Sequence, residues 1–180
     1  MQNSIGLFYG SSTCYTEMAA EKIRDSILEK MPAQKIDVHN IANDCIHLMP
    51  QYHQLILGIP TWDYGELQDD WETRWQLLDA LDLSHTKVAV FGLGDQIGYP
   101  QWFQDALGYL WAKVVNLGAT PIGLWPNEGY TFEQSKALTD DEKFFLGLAL
   151  DDENQCDLTD QYIDQWCQQI LLEFGLIHHD

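Results

Sequence analysis

The sequence is poor in positive charge. Nine Lys and Arg stand against 28 Asp and Glu in 180 residues, a formal net charge of −19. Phosphate backbones need basic neutralisation, so this balance excludes nucleic acid as a partner. The deficit is sharpest at the end, where no Lys or Arg follows Lys143 and eight acids do. Charge alone fits both a solvated acidic surface and one steered toward a basic-faced partner. Paired cysteines are also missing. Cys14, Cys45, Cys156 and Cys167 form no CxxC, which removes a zinc ribbon and a thioredoxin-type redox motif. The histidines His39, His47, His53, His85, His178 and His179 show no zinc-protease spacing, so no metal site is expected. No apolar run approaches the ~18 residues of a membrane span. The first residues, MQNSIGLFYGSS, have no basic segment ahead of a long apolar stretch, so no signal peptide is expected. A reduced, cytoplasmic monomer is the default expectation.

The common nucleotide motifs are absent too. There is no GxxxxGK[ST] and no GxGxxG after the first strand, and the residue six after Cys14 is Ala20, which excludes a Cys-x5-Arg phosphatase loop.

What is present is a core-forming composition, 46% hydrophobic and 12% aromatic. Seven tryptophans suggest that some rings serve a purpose other than packing. Ser4–Tyr9 reads as a first strand. From about Cys14 to Met31, Ala19, Ile23 and Ile27 fall at helical spacing, and Pro32 stops the pattern. Lys35–His39 and Gln54–Gly58 read as strands two and three. Leu67, Trp71, Trp75 and Leu78 mark a second helix, and Lys87–Gly92 is strand four. Phe103, Leu107, Leu110, Val114 and Leu117 stripe a third helix ended by Gly118, and Ala119–Leu124 begins strand five. The stretch 125–143 then breaks all periodicity before Phe144–Leu150 resumes an apolar run. Thr159 can cap a last helix carrying Ile163, Trp166, Ile170 and Phe174. Strands alternating with helices imply an α/β fold, a doubly wound parallel sheet with helices on both faces, here in one domain spanning 1–180. Ligands of such folds sit beyond the carboxyl ends of the strands.

Three loops follow those ends. The first, Gly10-Ser11-Ser12-Thr13-Cys14-Tyr15-Thr16-Glu17, gathers hydroxyls where a helix starts. Free N–H groups and the helix dipole favour an anion there, and hydroxyls add donors without charge. Simple helix capping explains the loop equally well. The second, Gly58-Ile59-Pro60-Thr61-Trp62-Asp63-Tyr64-Gly65-Glu66-Leu67, offers Trp62 as a flat face beyond a buried strand, or as a ring folded over the next helix. The third, Gly92-Leu93-Gly94-Asp95-Gln96-Ile97-Gly98-Tyr99, has three glycines that allow close backbone approach, then a second aromatic ring. Together the loops make a phosphate cradle and a two-sided clamp for a planar heterocycle.

In order, YGSSTxxTE, IPTWxxGELQxDW and FGxGDQxGY resemble flavodoxins across essentially the whole chain. LGLALDDENQxDLTDxxIxxW resembles the C-terminal part of the long-chain class, in which an extra loop interrupts strand five. Cys14-Tyr15 and Trp62-Asp63-Tyr64-Gly65 are most similar to an enteric-type bacterial branch of that class. The resemblance implies a flavodoxin-like five-stranded sheet of order 2-1-3-4-5, with 125–143 as the long-chain loop. It implies one FMN and no enzyme activity of its own. Ser11, Ser12, Thr13, Tyr15 and Thr16 would bind the phosphate. Trp62 would cover one face of the isoalloxazine and Tyr99 the other. Thr61, Asp63 and Tyr64 would line the dimethylbenzene and N5 side, and Gly92, Gly94 and Asp95 the pyrimidine edge and ribityl region. Pro60, Gly65 and Leu93 complete the set. Many flavodoxins carry Gly where this chain has Cys14.

With no Lys or Arg in the three loops, added negative charge on the ring is disfavoured, and stacking excludes water. Both lower the potential of the last electron. The implied role is a low-potential one-electron carrier between an NADPH-dependent flavodoxin reductase with a basic face and acceptor enzymes. The alternative, an FMN-dependent NAD(P)H quinone or nitro-group reductase, needs a second nucleotide pocket. No basic residue in the loops is available to hold its phosphate. A receiver-type domain would need paired acids after strand one and a Lys after strand five, and has neither.

Overall fold

The structure, a computed structural model, describes residues 3–180; Met1 and Gln2, which the reading of the N-terminus included, lie outside the described residues. The chain opens with β1 (Ser4–Tyr9), buried along its whole length, and α1 (Tyr15–Lys30). β2 (Lys35–Asn40) follows, then a 3-10 segment at Ile46–Gln51 and β3 (Gln54–Trp62). β1, β3 and β5 (Lys87–Leu93) form the sheet's middle and read as nearly continuous apolar runs, as strands covered on both faces must. β2 pairs parallel with β1, β1 with β3, and β3 with β5.

The two faces can be told apart from neighbouring residues of β5, since successive side chains point opposite ways. Phe91 meets Trp166 of α4 (Thr159–Glu173) edge-on, with ring centroids 6.3 Å apart. Gly92 lies under Leu107 of α3 (Asp105–Asn116). α1 packs beside α4, where Lys22 pairs with Asp160 at 2.8 Å and Lys30 with Asp164. The opposite face carries α3 and the segment after β4 (Glu66–Leu67) and α2 (Asp69–Arg74), with Lys113 paired to Asp79 at 2.7 Å.

The fifth strand position is split. β6 (Thr120–Ile122) pairs with Lys87–Ala89, and β9 (Leu148–Leu150) pairs with Phe91–Leu93 on the same edge of β5. Between them the chain departs at Gly123 (φ 85°) and returns at Gly147, which lies against the Val90 carbonyl. A small antiparallel pair, β7 (Trp125–Pro126) with β8 (Phe144–Phe145), closes the excursion at its base. This is the expected sheet, with order 2-1-3-4-5 when strand positions are counted and a long loop in the last. The loop has its own aromatic core, in which Phe103, Tyr130, Phe132 and Phe145 pack at centroid distances of 5.0–5.8 Å. Gly108 of α3 is where it seats, because a β-carbon there would stand 2.3 Å from the Lys136 carbonyl oxygen.

Beyond shifts of one or two residues at strand ends, four boundaries differ from the sequence reading. β3 runs on to Trp62, so Trp62 ends a strand rather than lying in a loop. Leu67 belongs to β4, which pairs back on β3; the expected second helix shrinks to α2 and a 3-10 turn at Leu77–Ala80, though Trp71 and Leu78 are buried as its stripe required. Phe103 precedes α3, because Gln104 (φ 63°) takes a left-handed conformation and delays the helix. Thr159 does not cap α4. It is the first helical residue, and its hydroxyl donates to Asp152 at 2.5 Å. Among the described residues no helix is long and apolar enough to cross a membrane.

Candidate functional site

The three loops converge beyond the carboxyl ends of β1, β3 and β5 around an open cleft of about 210 Å³. That is smaller than pockets that engulf a small molecule, and suits a ligand with one edge left outside. From the first loop Thr13, Tyr15 and Thr16 line it; from the second Pro60, Thr61, Trp62 and Asp63; from the third Leu93, Gly94, Asp95 and Tyr99.

The first loop is built to keep donors open. Cys14 precedes α1 with φ 68°, a left-handed conformation that most side chains resist, and no side chain caps the helix. The first-turn N–H groups therefore face the loop without a protein acceptor from a cap. Ser11 Oγ is buried with no partner, which is costly for a hydroxyl unless a ligand completes it. Ser12 Oγ accepts a hydrogen bond from Gln68 Nε2 at 3.0 Å. Ser11, half-buried, and Ser12, exposed, come just ahead of Thr13, the first residue of this loop to line the cleft. An orphaned hydroxyl, further hydroxyls and an uncapped helix start fit a phosphate monoester held by neutral groups.

The second loop is a tight hairpin. Trp62 pairs with Glu66 and Thr61 with Leu67, leaving Asp63, Tyr64 and Gly65 to turn. Asp63 has φ 42° and Gly65 φ 86°, so the turn holds a non-glycine residue in the left-handed region. Thr61 Oγ1 accepts from the Ala106 N–H at 3.0 Å, anchoring the hairpin to the start of α3. Tyr64, exposed in the turn beside the cleft, meets Trp102 and Tyr99 edge-on at 5.0 and 6.4 Å. Gly65 also lies outside the cleft, where any side chain would strike the Asp105 carboxylate.

The third loop is held by hydrogen bonds of its own. Burial alone would raise the Asp95 pKa, but hydrogen bonds from the Gly98 N–H, the Asn154 side chain and the Ile97 N–H outweigh it and hold the carboxyl below its ordinary range. Gln96 and Asp151 are almost fully buried. Asp151 accepts from the Gln96 backbone and side chain at 3.1 and 2.8 Å and from Asn154, while Gln96 Oε1 accepts from the Thr131 N–H. The glycines here answer first to packing. A β-carbon at Gly92 would stand 2.2 Å from the Gln104 amide and one at Gly98 2.3 Å from the Asp95 carboxylate. Gly94 faces Phe103 at 3.1 Å by the same measure and still lines the cleft; Gly92 does not.

Asp152 and Glu153 line the cleft and were not singled out from the sequence. Their signal was the DDEN of the C-terminal stretch, directly after a strand, as in the other three loops. With Asp63 and Asp95 they make four carboxylates and no Lys or Arg in the lining. Gln68, buried behind the first loop, was missed as well.

A family model described as Flavodoxin matches residues 7–166. Flavodoxin 2 of Escherichia coli is 55% identical over 172 residues, covering 96% of this chain and 97% of that protein. A flavodoxin of Nostoc is 45% identical over 176 residues, covering 98% of this chain and all of that one. Among solved structures, the Fusobacterium nucleatum flavodoxin bound to flavin mononucleotide superposes with a TM-score of 0.87 at 30% identity, covering 95% of this chain and 98% of that chain.

Proposed function

The chain belongs to the flavodoxin family, and from that premise we propose that its cleft holds one FMN and that the protein carries single electrons between redox enzymes. The observation that carries this reading is the make-up of the cleft: hydroxyls and free amides at one end, an indole and a phenol ring along it, and only acidic charge around it. Bound there, FMN supplies two one-electron steps at one ring.

The protein's part is to hold and bias that ring. Ser11, Ser12, Thr13, Tyr15 and Thr16 with the α1 N–H groups take the phosphate, whose charge the helix dipole offsets. Trp62 and Tyr99 supply the two aromatic faces, and Pro60, Thr61 and Asp63 the dimethylbenzene side. Leu93, Gly94 and Asp95 supply the pyrimidine side. Asp63, Asp95, Asp152 and Glu153 oppose further negative charge in the cleft, which lowers the potential at which the last electron enters. Tyr64 and Gly65 flank the dimethylbenzene side from the turn of the hairpin, and Gly92 underlies the pyrimidine side within β5.

The partners of this reading are redox proteins with basic faces: an NADPH-dependent flavodoxin reductase and acceptor enzymes. A net charge of −19 supports steered encounter with them. Their association should slow as salt rises, since screening removes the attraction. The carrier works as a cytoplasmic monomer of one FMN-binding domain, an electron carrier rather than an enzyme. Titration of the apoprotein with FMN, riboflavin and FAD, followed by flavin fluorescence, tests the assignment. FMN is expected to bind far more tightly than either; equal affinity for FMN and riboflavin contradicts it. Sustained NADPH oxidation by the purified protein alone would favour the reductase alternative.

A further inference from the structure

Gln68 adds a side-chain bridge between two loops of the site that stand at the ends of adjacent strands, β1 and β3. It follows directly on β4, whose Glu66 and Leu67 pair with Trp62 and Thr61. Its backbone is thus an extension of the hairpin that presents the indole. The side chain reaches the other way, to the first loop, where Nε2 donates to Ser12 Oγ at 3.0 Å. The same Nε2 donates to Asp70 Oδ2 at 2.7 Å. An ionised carboxylate only accepts, so Asp70 fixes which end of the amide faces Ser12.

The residue is 1% exposed, and its Oε1 is buried without a partner. That oxygen lies against Gly10, where a β-carbon would stand 2.4 Å from it. An amide is an expensive choice for such a place. A Leu or Met would fill the same space and strand no carbonyl, at little or no cost to stability. A packing role alone therefore does not account for it.

We propose that Gln68 is a positioning residue that couples the phosphate loop to the Trp62 hairpin, so that an oxyanion in the loop and a flat ring against Trp62 favour each other's binding. The inference rests on the FMN reading above and deepens it. When the Ser12 hydroxyl donates to an oxyanion, its oxygen becomes a better acceptor, because linked hydrogen bonds polarise one another. The Gln68–Ser12 bond then tightens and fixes the hairpin through β4. Coupling of this kind is reciprocal, so a ring seated on the hairpin tightens the loop around the oxyanion by the same factor.

The test separates the two halves of the cofactor: riboflavin is titrated into apoprotein without and with saturating inorganic phosphate, at constant ionic strength. In the parent protein phosphate should tighten riboflavin by at least about fivefold, the lower end of ordinary coupling. In Gln68→Met the ratio should fall below about twofold, while phosphate and riboflavin each still bind alone. Ser12→Ala cuts the strap at its other end without disturbing the buried side, and should lower the ratio likewise. It carries the test should the Met variant fail to fold. A parental ratio near one, or variants that keep the parental ratio, overturns the proposal while leaving FMN binding intact. A parent that binds neither FMN nor riboflavin overturns the functional reading itself, and the coupling with it.

Discussion

The loop after β1 and the loop after β5 face the same cleft and are built on opposite plans. The first keeps its polar groups uncommitted: Ser11 Oγ has no partner, the start of α1 has no side-chain cap, and Cys14 is held in a left-handed conformation. The second spends its polar groups internally. Asp95 accepts from two backbone amides and from Asn154, and Gln96 with Asp151 ties it to both the long loop and the turn before α4. An open loop is completed by its ligand, whereas a closed one is a preformed wall. In this molecule the loop after β1 leaves polar groups for a ligand to complete, and the loop after β5 is completed by the protein itself.

The contrast breaks most visibly at Asp151. Replacing it with Ala strands the buried Gln96 donors and should cost about 3 kcal/mol, a fall in melting temperature of roughly 6–12 °C for a chain of this size. Thermal unfolding of the apoprotein measures it; an unchanged midpoint would mean that the wall is not held by this network. Ser11→Ala should do the reverse. Its buried hydroxyl has no protein partner to lose, so the apoprotein should melt at the same temperature or higher. Loss of a hydrogen bond to a charged phosphate, about 1.5–3 kcal/mol, should weaken FMN by roughly ten- to hundredfold, with riboflavin affinity unchanged.

The strained residues sharpen the comparison further. Cys14→Gly and Asp63→Gly each remove a side chain from a left-handed position and should raise stability by about 0.5–1 kcal/mol. If neither variant melts higher, the positive φ angles carry no strain. The smallest effect concerns Asp105, buried beside the hairpin turn. Burial raises its pKa, and the Lys136 N–H and nearby Lys136 charge offset this only in part. Its ionised form is therefore penalised in the fold. That penalty is absent below the unfolded-state pKa and complete above the folded one. Asp105→Asn, which can still accept from Lys136, should raise the melting temperature at pH 7 and leave it unchanged near pH 3. A gain at both pH values would contradict the titration.

Much of this was legible in the sequence, because the strand ends that place the loops are buried apolar runs. The order of the sheet and the interrupted fifth strand followed from the resemblance to flavodoxins, and the candidates Thr13, Trp62, Asp95 and Tyr99 from loops positioned after strands. What escaped was decided by contacts distant in sequence. Trp62 extends β3 only because Glu66 turns back to pair with it. Gly92 lies against the Gln104 amide, and nothing local says so. Gln68 and Asp151 read as ordinary polar residues until the fold buries them against partners 56 and 55 positions away. Asp152 and Glu153 were the avoidable omission, since they too follow directly on a strand.

The central claim is that a cleft with only neutral donors and acidic charge divides the reduction of its cofactor into two one-electron steps. Stepwise potentiometric reduction of the FMN-loaded protein, followed by absorbance, measures this directly. The account predicts two resolved one-electron potentials, the second well below that of free FMN, so that the steps stand apart. A single two-electron transition near the potential of free FMN would contradict it.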